Sequence, residues 1–384
     1  MIHYALKMLF GDKARYLGIL VGVAFAALLI TQQGAIFVGL MERTYSFVSD
    51  TPQPDLWVVD PDLEHHSDSK PLVGQKLFRV RGVEGVEWAT PMFKSFTKMR
   101  LPSGERRGCI VVGVDDNTLV GAPQSIDSRN GLDLRKADAV LVDRADIEKK
   151  LAVRTPGGGS RPLQIGDVLE LNDRRAVVAG TFTINASFFW EPVIYTTYSR
   201  AISYSPQERK QLSFILVKVK PGQDIAAVAT RIENATGLKA YTESGFKWLT
   251  ASYILEKTGI LINFGIAVLL GFGVGTAVAG QTFYNFTMDN LRHFGALKAL
   301  GTSNRTLLAM VLTQAMVVGL IGYGLGVGGA AAFGALIGGT SLAFSLPWQL
   351  LVITGVAILG ISILAAALSI RKVLYLEPGV VFRG

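Results

Sequence analysis

The chain has 384 residues, of which 49% are apolar and only 18% charged, so it has room for several domains and is biased toward membrane. Its formal net charge of +8 would suit nucleic acid, but six of those charges fall in three short segments flanking apolar runs and report topology instead. A single cysteine, Cys109, excludes an internal disulfide and reads as a buried, inert thiol in the strand-like CIVVGV.

Residues 1–15 carry Lys7, Lys13 and Arg15 against Asp12, a basic N-terminal segment. The 26 charge-free residues 16–41 exceed a secretory h-region, lack a small-x-small cleavage site and predict an uncleaved first span. Residues 42–257 form a segment of 216 residues with nearly balanced charge. Its runs PDLWVVD, LFRVRGVEGVEWATP, CIVVGVD, AVLVDRA, DVLEL, RAVVAGTF, PVIYTTY and SFILVKVK read as short strands. RADIEKKLA and DIAAVATRIENATG read as helices, the latter on the spacing of Ile225, Val228, Ala229 and Ile232. RTPGGGSRPL reads as a loop, and His65-His66 as part of a solvated loop rather than a metal site. SGFKWLTASYILEKTGI is expected to run straight into the second span as one continuous helix.

A second charge-free run, Thr258–Met288, supplies a span with its stalk over 258–284, and residues 285–305 form a basic insert. The 65 charge-free residues Thr306–Ile370 are too long for one helix. Gly338, Gly339 and Pro347 divide them into spans over 306–333 and 346–370. The tail, 371–384, is again basic. Positive segments stay cytoplasmic, which puts both termini and the insert inside and residues 42–257 outside. The fold class expected is a membrane protein with four transmembrane helices, one N-terminal and three C-terminal. A large α+β domain is inserted between the first and second.

The spans hold no Asp, Glu, Lys, Arg or His, which argues against an ion-coupled carrier. Gly271 with Gly275, Gly322 with Gly326 and Gly324 with Gly328 make GxxxG pairs. Such pairs serve either packing within one bundle or packing between two copies, for which Gly271, Gly275, Gly322 and Gly326 are the candidates. No phosphate-binding loop, nucleophile elbow or zinc-protease motif occurs. The expectation is therefore no catalytic residue, no metal and no cofactor on this chain.

The insert carries the sharpest pattern. In RHFGALKALGTSNRTL, Leu291, Phe294, Leu297 and Leu300 recur every third residue, with Arg292, His293 and Lys298 between them. This predicts a short helix with an apolar face and a basic flank, closed at Gly301, with Thr302 or Ser303 capping the next span. A plain turn needs only two to five residues, so the excess suggests a docking element, with Phe294 and Leu297 as its anchors.

RHFGALKALGTSNRTL resembles the coupling signature of FtsX/MacB-like ABC transporter permeases. TGILINFGIAVLLGFGVGTAVAGQTFYN and Leu312–Ala315 resemble more narrowly the DevC-like exporter permeases. GVEGVEWATP, LQIGDVLELNDRRAVVAGTF, ILVKVKPGQD and the closing LEPGVVFRG extend the likeness over the chain, although His293 stands where an acidic residue is common. The resemblance implies a mechanotransmitting subunit of the bacterial inner membrane, working as a homodimer with a separate ATPase that holds ATP and Mg. Its large domain would be periplasmic, facing a membrane-fusion adaptor and a TolC-like outer-membrane channel. An FtsX-like regulator of periplasmic hydrolases, a lipoprotein-extraction permease and a membrane-anchored binding module are the alternatives.

Overall fold

The computed structural model describes residues 2–11, 13–68, 70–123, 125–126, 134–155, 157–188, 190–205, 211–338, 340 and 342–374. The tail beyond 374, with its basic Arg383, lies outside them. The chain divides into two units, Met1–Met41 with Gly259–Gly384, and Glu42–Thr258.

Four helices of the first unit are long and apolar enough to cross a membrane: the Tyr16–Thr44 part of α2 (Lys13–Thr44), α9 (Ile260–Asp289), α11 (Asn304–Ile337) and the Trp348–Ile370 part of α12 (Trp348–Leu374). Each exceeds the roughly 20 residues that span hydrocarbon. A further helix, α1 (Ile2–Gly11), stands where only a charged segment is expected. Ala5 and Leu9 share one helical face and are fully buried in the bundle core. The buried Gln314 of α11 donates from Nε2 to the Ala5 carbonyl at 2.7 Å. That bond satisfies the amide N–H, while Gln314 Oε1 is buried without a partner among the described residues.

Glycine decides how closely these helices approach. A Cβ on Gly275 would collide with Ala26, one on Gly322 would lie 2.8 Å from Val23 Cγ1, and one on Gly326 2.6 Å from the Ala24 carbonyl. Gly271 lies against Leu29 and Ile30. All four candidates for packing between copies are thus occupied inside one chain, against α2. The reason is geometric: small residues admit whichever helix comes nearest, and here it is the first span. On α12, Leu350 packs on Gly34 and Thr354 accepts from the Thr31 hydroxyl at 3.3 Å. The first span, α2, therefore touches each of the other three.

The second unit is α/β. Its strands are β1 (Leu56–Val59), β2 (Val86–Arg100), β3 (Arg106–Val114), β4 (Ala139–Asp143), β5 (Val153–Arg154), β6 (Ser160–Arg161), β7 (Val168–Leu171), β8 (Arg174–Phe182), β9 (Val193–Thr197), β10 (Phe214–Val219) and β11 (Lys239–Thr242). Nine of them pair in the order β11-β1-β10-β2-β3-β9-β4-β8-β7. The 15-residue β2 belongs to two halves. Residues 86–92 pair with β10, and 93–100 with β3. β7 returns to β2 at Met99 and Arg100, closing six strands into a ring. Helices α4 (Gly74–Arg81) and α7 (Ile225–Thr236) pack with Leu56, Val58, Ile215 and Val217 in one core. α6 (Tyr198–Tyr204) covers another through Ala201 and Tyr204. Cys109 is buried in that second core, and burial pushes its thiol up to about 12, which leaves it inert.

Three local expectations are corrected. Residues 77–81 are helical, because Leu77 and Val80 are three apart and both buried; a strand would turn them to opposite faces. RTPGGGSRPL holds the small β5–β6 hairpin. α8 (Glu243–Lys257) does not continue into α9: Thr258 ends it, and Gly259 sits at φ +67°. A left-handed residue cannot continue a right-handed helix, and glycine adopts it at little cost.

Candidate functional site

The insert forms α10 (Leu291–Ala299), separated from α9 by the single residue Asn290. Asn290 Nδ2 donates back to the Phe286 carbonyl at 2.9 Å, covering one of the C-terminal acceptors of α9. At the far end Thr302 N donates to Leu297 O at 3.1 Å and Gly301 N to Lys298 O at 3.0 Å. This double closure needs Gly301 in the left-handed region, where it lies at φ +87°. Ser303 then caps α11, its hydroxyl accepting from Thr306 N at 3.3 Å.

The orientation of α10 differs from the expected one. Phe294 is fully buried, in one core with Ala5, Leu9, Phe286 and Leu307, and Leu291 and Leu297 pack against that core. Phe294 and Leu297 therefore anchor the insert to its own bundle and are not offered to a partner. A stripe recurring every third residue specifies an apolar face but not what covers it, and the bundle lies nearest. The accessible surface consists of Arg292, His293, Ala296 and Ala299, with Lys298 half-buried. At its end Leu300 is 83% exposed. A basic surface ending in a bare leucine suits a protein groove lined with carboxylates.

A feature of the second unit escaped sequence reasoning. Lys94, on β2, is buried with no carboxylate partner among the described residues. Its Nζ lies 2.5 Å from His66 Nδ1, 3.3 Å from Ser67 Oγ and 4.2 Å from the Phe47 ring centroid. His66 is likewise buried rather than solvated, and Nε2 sits 2.7 Å from the Thr44 carbonyl at the end of α2. A carbonyl only accepts, so Nε2 carries the proton and Nδ1 accepts from Lys94. Burial, then the neighbouring Lys94, holds His66 well below the ordinary histidine range. Burial lowers Lys94 from 10.5 to about 7. His65 instead packs on Tyr253, ring centroids 4.6 Å apart. No cluster of three or more His, Cys, Asp or Glu placed to hold a metal occurs among the described residues.

The sign of the pH dependence follows. Between about 7 and 10.5 the unfolded chain holds a proton on Lys94 that the folded chain does not, so stability rises with pH across that window. Below it both states hold the proton and the full desolvation cost remains. Lys94→Met leaves His66 Nδ1 its Ser67 hydroxyl at 3.1 Å. It is expected to stabilise the chain by roughly 1–4 kcal/mol at about pH 6, and by less at about pH 9. Thermal melts of both proteins at the two pH values check this; parallel pH profiles would refute it.

The profile of the MacB-like periplasmic core domain family matches residues 16–235, and that of the FtsX-like permease C-terminal family matches 264–378, α10 included. The chain belongs to the FtsX/MacB-like ABC transporter permeases. A curated protein of Methanocaldococcus jannaschii, the uncharacterized ABC transporter permease MJ1507, is 26% identical over 167 residues. The match spans 42% of this permease and only 41% of that relative's length. Three solved structures are also similar to it. The extracellular domain of YknZ from Gram-positive bacteria has 14% identity and TM-score 0.34, over 49% of this permease and 99% of that chain. The periplasmic region of MacB from Actinobacillus actinomycetemcomitans has 11% identity and TM-score 0.37, over 55% and 97%. A domain of a putative permease protein from Porphyromonas gingivalis has 15% identity and TM-score 0.29, over 50% and 90%.

Proposed function

We propose that this permease is the non-catalytic, force-transmitting subunit of an ABC-type exporter in a bacterial inner membrane, with both termini and α10 in the cytoplasm. A separate ATPase, holding ATP and Mg, docks on the exposed face of α10. Its closure displaces α10, and Phe294 passes the displacement to the bundle core. The segment 42–257, on the periplasmic side, responds by driving substrate through a membrane-fusion adaptor and an outer-membrane channel. Two copies of the chain act together.

The observation that carries this reading is the division of labour on α10. One face is locked into the bundle, and the other presents Arg292, His293 and Leu300 to solvent. A lever needs both a rigid attachment and a free contact. The spans 16–41, 258–284, 306–333 and 346–370, without Asp, Glu, Lys, Arg or His, suit a bundle that bears force and conducts nothing.

The test uses the full-length permease co-expressed and co-purified with a candidate ABC ATPase subunit from the same genome. Leu300→Asp and Arg292→Glu are both on accessible surface and are expected to leave the melting temperature unchanged. Each should reduce ATPase association, or permease-stimulated ATP hydrolysis, by about tenfold or more. Unaltered association in the double variant would overturn the docking assignment.

A further inference from the structure

β2 and β3 stay paired up to their shared turn, so Phe96, Lys98 and Arg100 face Ile110, Gly108 and Arg106 across one side of the sheet. Glu170 of β7 lies beside Arg100, and the β7–β8 turn at Asn172 and Asp173 closes the far edge. All of these except the buried Ile110 line an open groove of about 570 Å³, a volume suited to a small organic molecule.

Three observations give the groove its chemistry. Phe96 is 56% exposed, unusual for an aromatic side chain within a strand. A Cβ on Gly108 would collide with the Phe96 ring, so the absent side chain is what lets the ring lie over the neighbouring strand. Lys98 stands directly across from Gly108, and Arg106 is the next residue of β3 on that face. Arg100 is held by Glu170 at 3.2 Å. The side chains of Lys98 and Arg106 make no ion pair or hydrogen bond with any described residue. Asp173, the other carboxylate of the lining, pairs with neither. The result is an aromatic platform flanked by two cations whose counter-charge is not supplied by the chain.

We propose that this groove binds a planar organic anion, its ring on Phe96 and its anionic group shared by Arg106 and Lys98. A ring offers a flat face to the Phe96 ring, and a guanidinium offers paired donors to a carboxylate, sulfonate or phosphate. A neutral aromatic molecule leaves both cations unanswered, and an organic cation is repelled by them. The floor is a single ring on an open sheet face rather than a closed apolar tunnel, which favours a flat body over a long acyl chain.

The test is calorimetric titration of 2-naphthalenesulfonate into the full-length permease in zwitterionic nanodiscs, with empty discs subtracted. Saturable 1:1 binding is expected, weakening as salt rises from about 50 to about 300 mM. Phe96→Ala and Arg106→Gln should each weaken it by about tenfold or more. Phe96→Tyr should retain it, and Gly108→Val, which displaces the ring, should not. Uncharged 2-naphthylmethanol should bind at least about tenfold more weakly than the sulfonate. Phe96 and Arg106 are exposed, so melting temperatures should match the wild type and separate a lost site from a lost fold. The proposal fails if the wild type shows no saturable binding up to about 1 mM. It also fails if Phe96→Ala and Arg106→Gln bind normally, or if the alcohol binds as tightly as the sulfonate. No ATP or ATPase is present, so the outcome is independent of the coupling reading.

Discussion

Phe294→Asp is expected to destroy the folded membrane bundle rather than to uncouple it. The side chain is fully buried among Ala5, Leu9, Phe286 and Leu307. Truncating a buried phenylalanine costs about 3–5 kcal/mol, and the new carboxylate adds the desolvation penalty of a charge placed among apolar side chains. That total is comparable to the whole stability of an ordinary domain. Size-exclusion profiles and thermal melts of the purified permease should show aggregation or a lost transition. Phe294→Leu, which keeps most of the apolar volume, should retain a folded bundle with a lower melting temperature. Loss of ATPase binding in Phe294→Asp would then report unfolding, whereas the same loss in Leu300→Asp reports a missing contact. A native-like melt for Phe294→Asp would mean that α10 does not pack on the bundle.

Gly326→Val should be the second severe change. A Cβ there meets the Ala24 carbonyl at 2.6 Å and the Leu28 amide nitrogen at 2.7 Å, besides the Ala27 side chain. Two of these obstacles are backbone, so no rotamer relieves them and α2 must move away from α11 by about 1 Å to reach normal contact distance. Overpacking of this kind costs about 1–3 kcal/mol for added methylenes, and the helices lose their close contact over several turns as well. Gly324→Val is the control, since a Cβ at Gly324 meets nothing within 4 Å. Replacing a mid-helix glycine there should be neutral or slightly stabilising. Equal melting temperatures for the two variants would refute the internal packing of the Gly322–Gly326 pair.

These contrasts show what can be read from residues alone. The four spans are legible because lipid imposes a length and excludes charge, and the sequence records both. The end of α10 is legible too, since only glycine takes the position of Gly301 cheaply and serine caps well. Periodicity gives a face but never its partner, so it cannot decide whether Phe294 turns toward the bundle or toward an ATPase. The same blindness applies to GxxxG spacing. Lys94 shares its parity along β2 with the exposed Phe96, Lys98 and Arg100, so strand alternation assigns it to solvent. Phe47 and His66, which enclose it, lie 28 or more residues away in sequence. The aromatic groove depends in the same way on Phe96 crossing onto Gly108 of another strand.

The central place of α2 has a consequence for biogenesis. It leaves the ribosome before α9, α11 and α12, on which it packs, because they follow the 217 residues of Glu42–Thr258. At about 5–20 residues per second, translation of that segment alone takes roughly 10–45 s. Throughout this interval the face bearing Val23, Ala26 and Ala27 has only lipid or the insertion machinery against it. A span in that position must be stable in the bilayer alone, and its mean hydropathy of 1.9 without an internal charge meets the requirement. A helix that packs on all three other spans is the one that waits longest for them. Its small-residue face, uncovered during the wait, is the surface a membrane chaperone would have to shield.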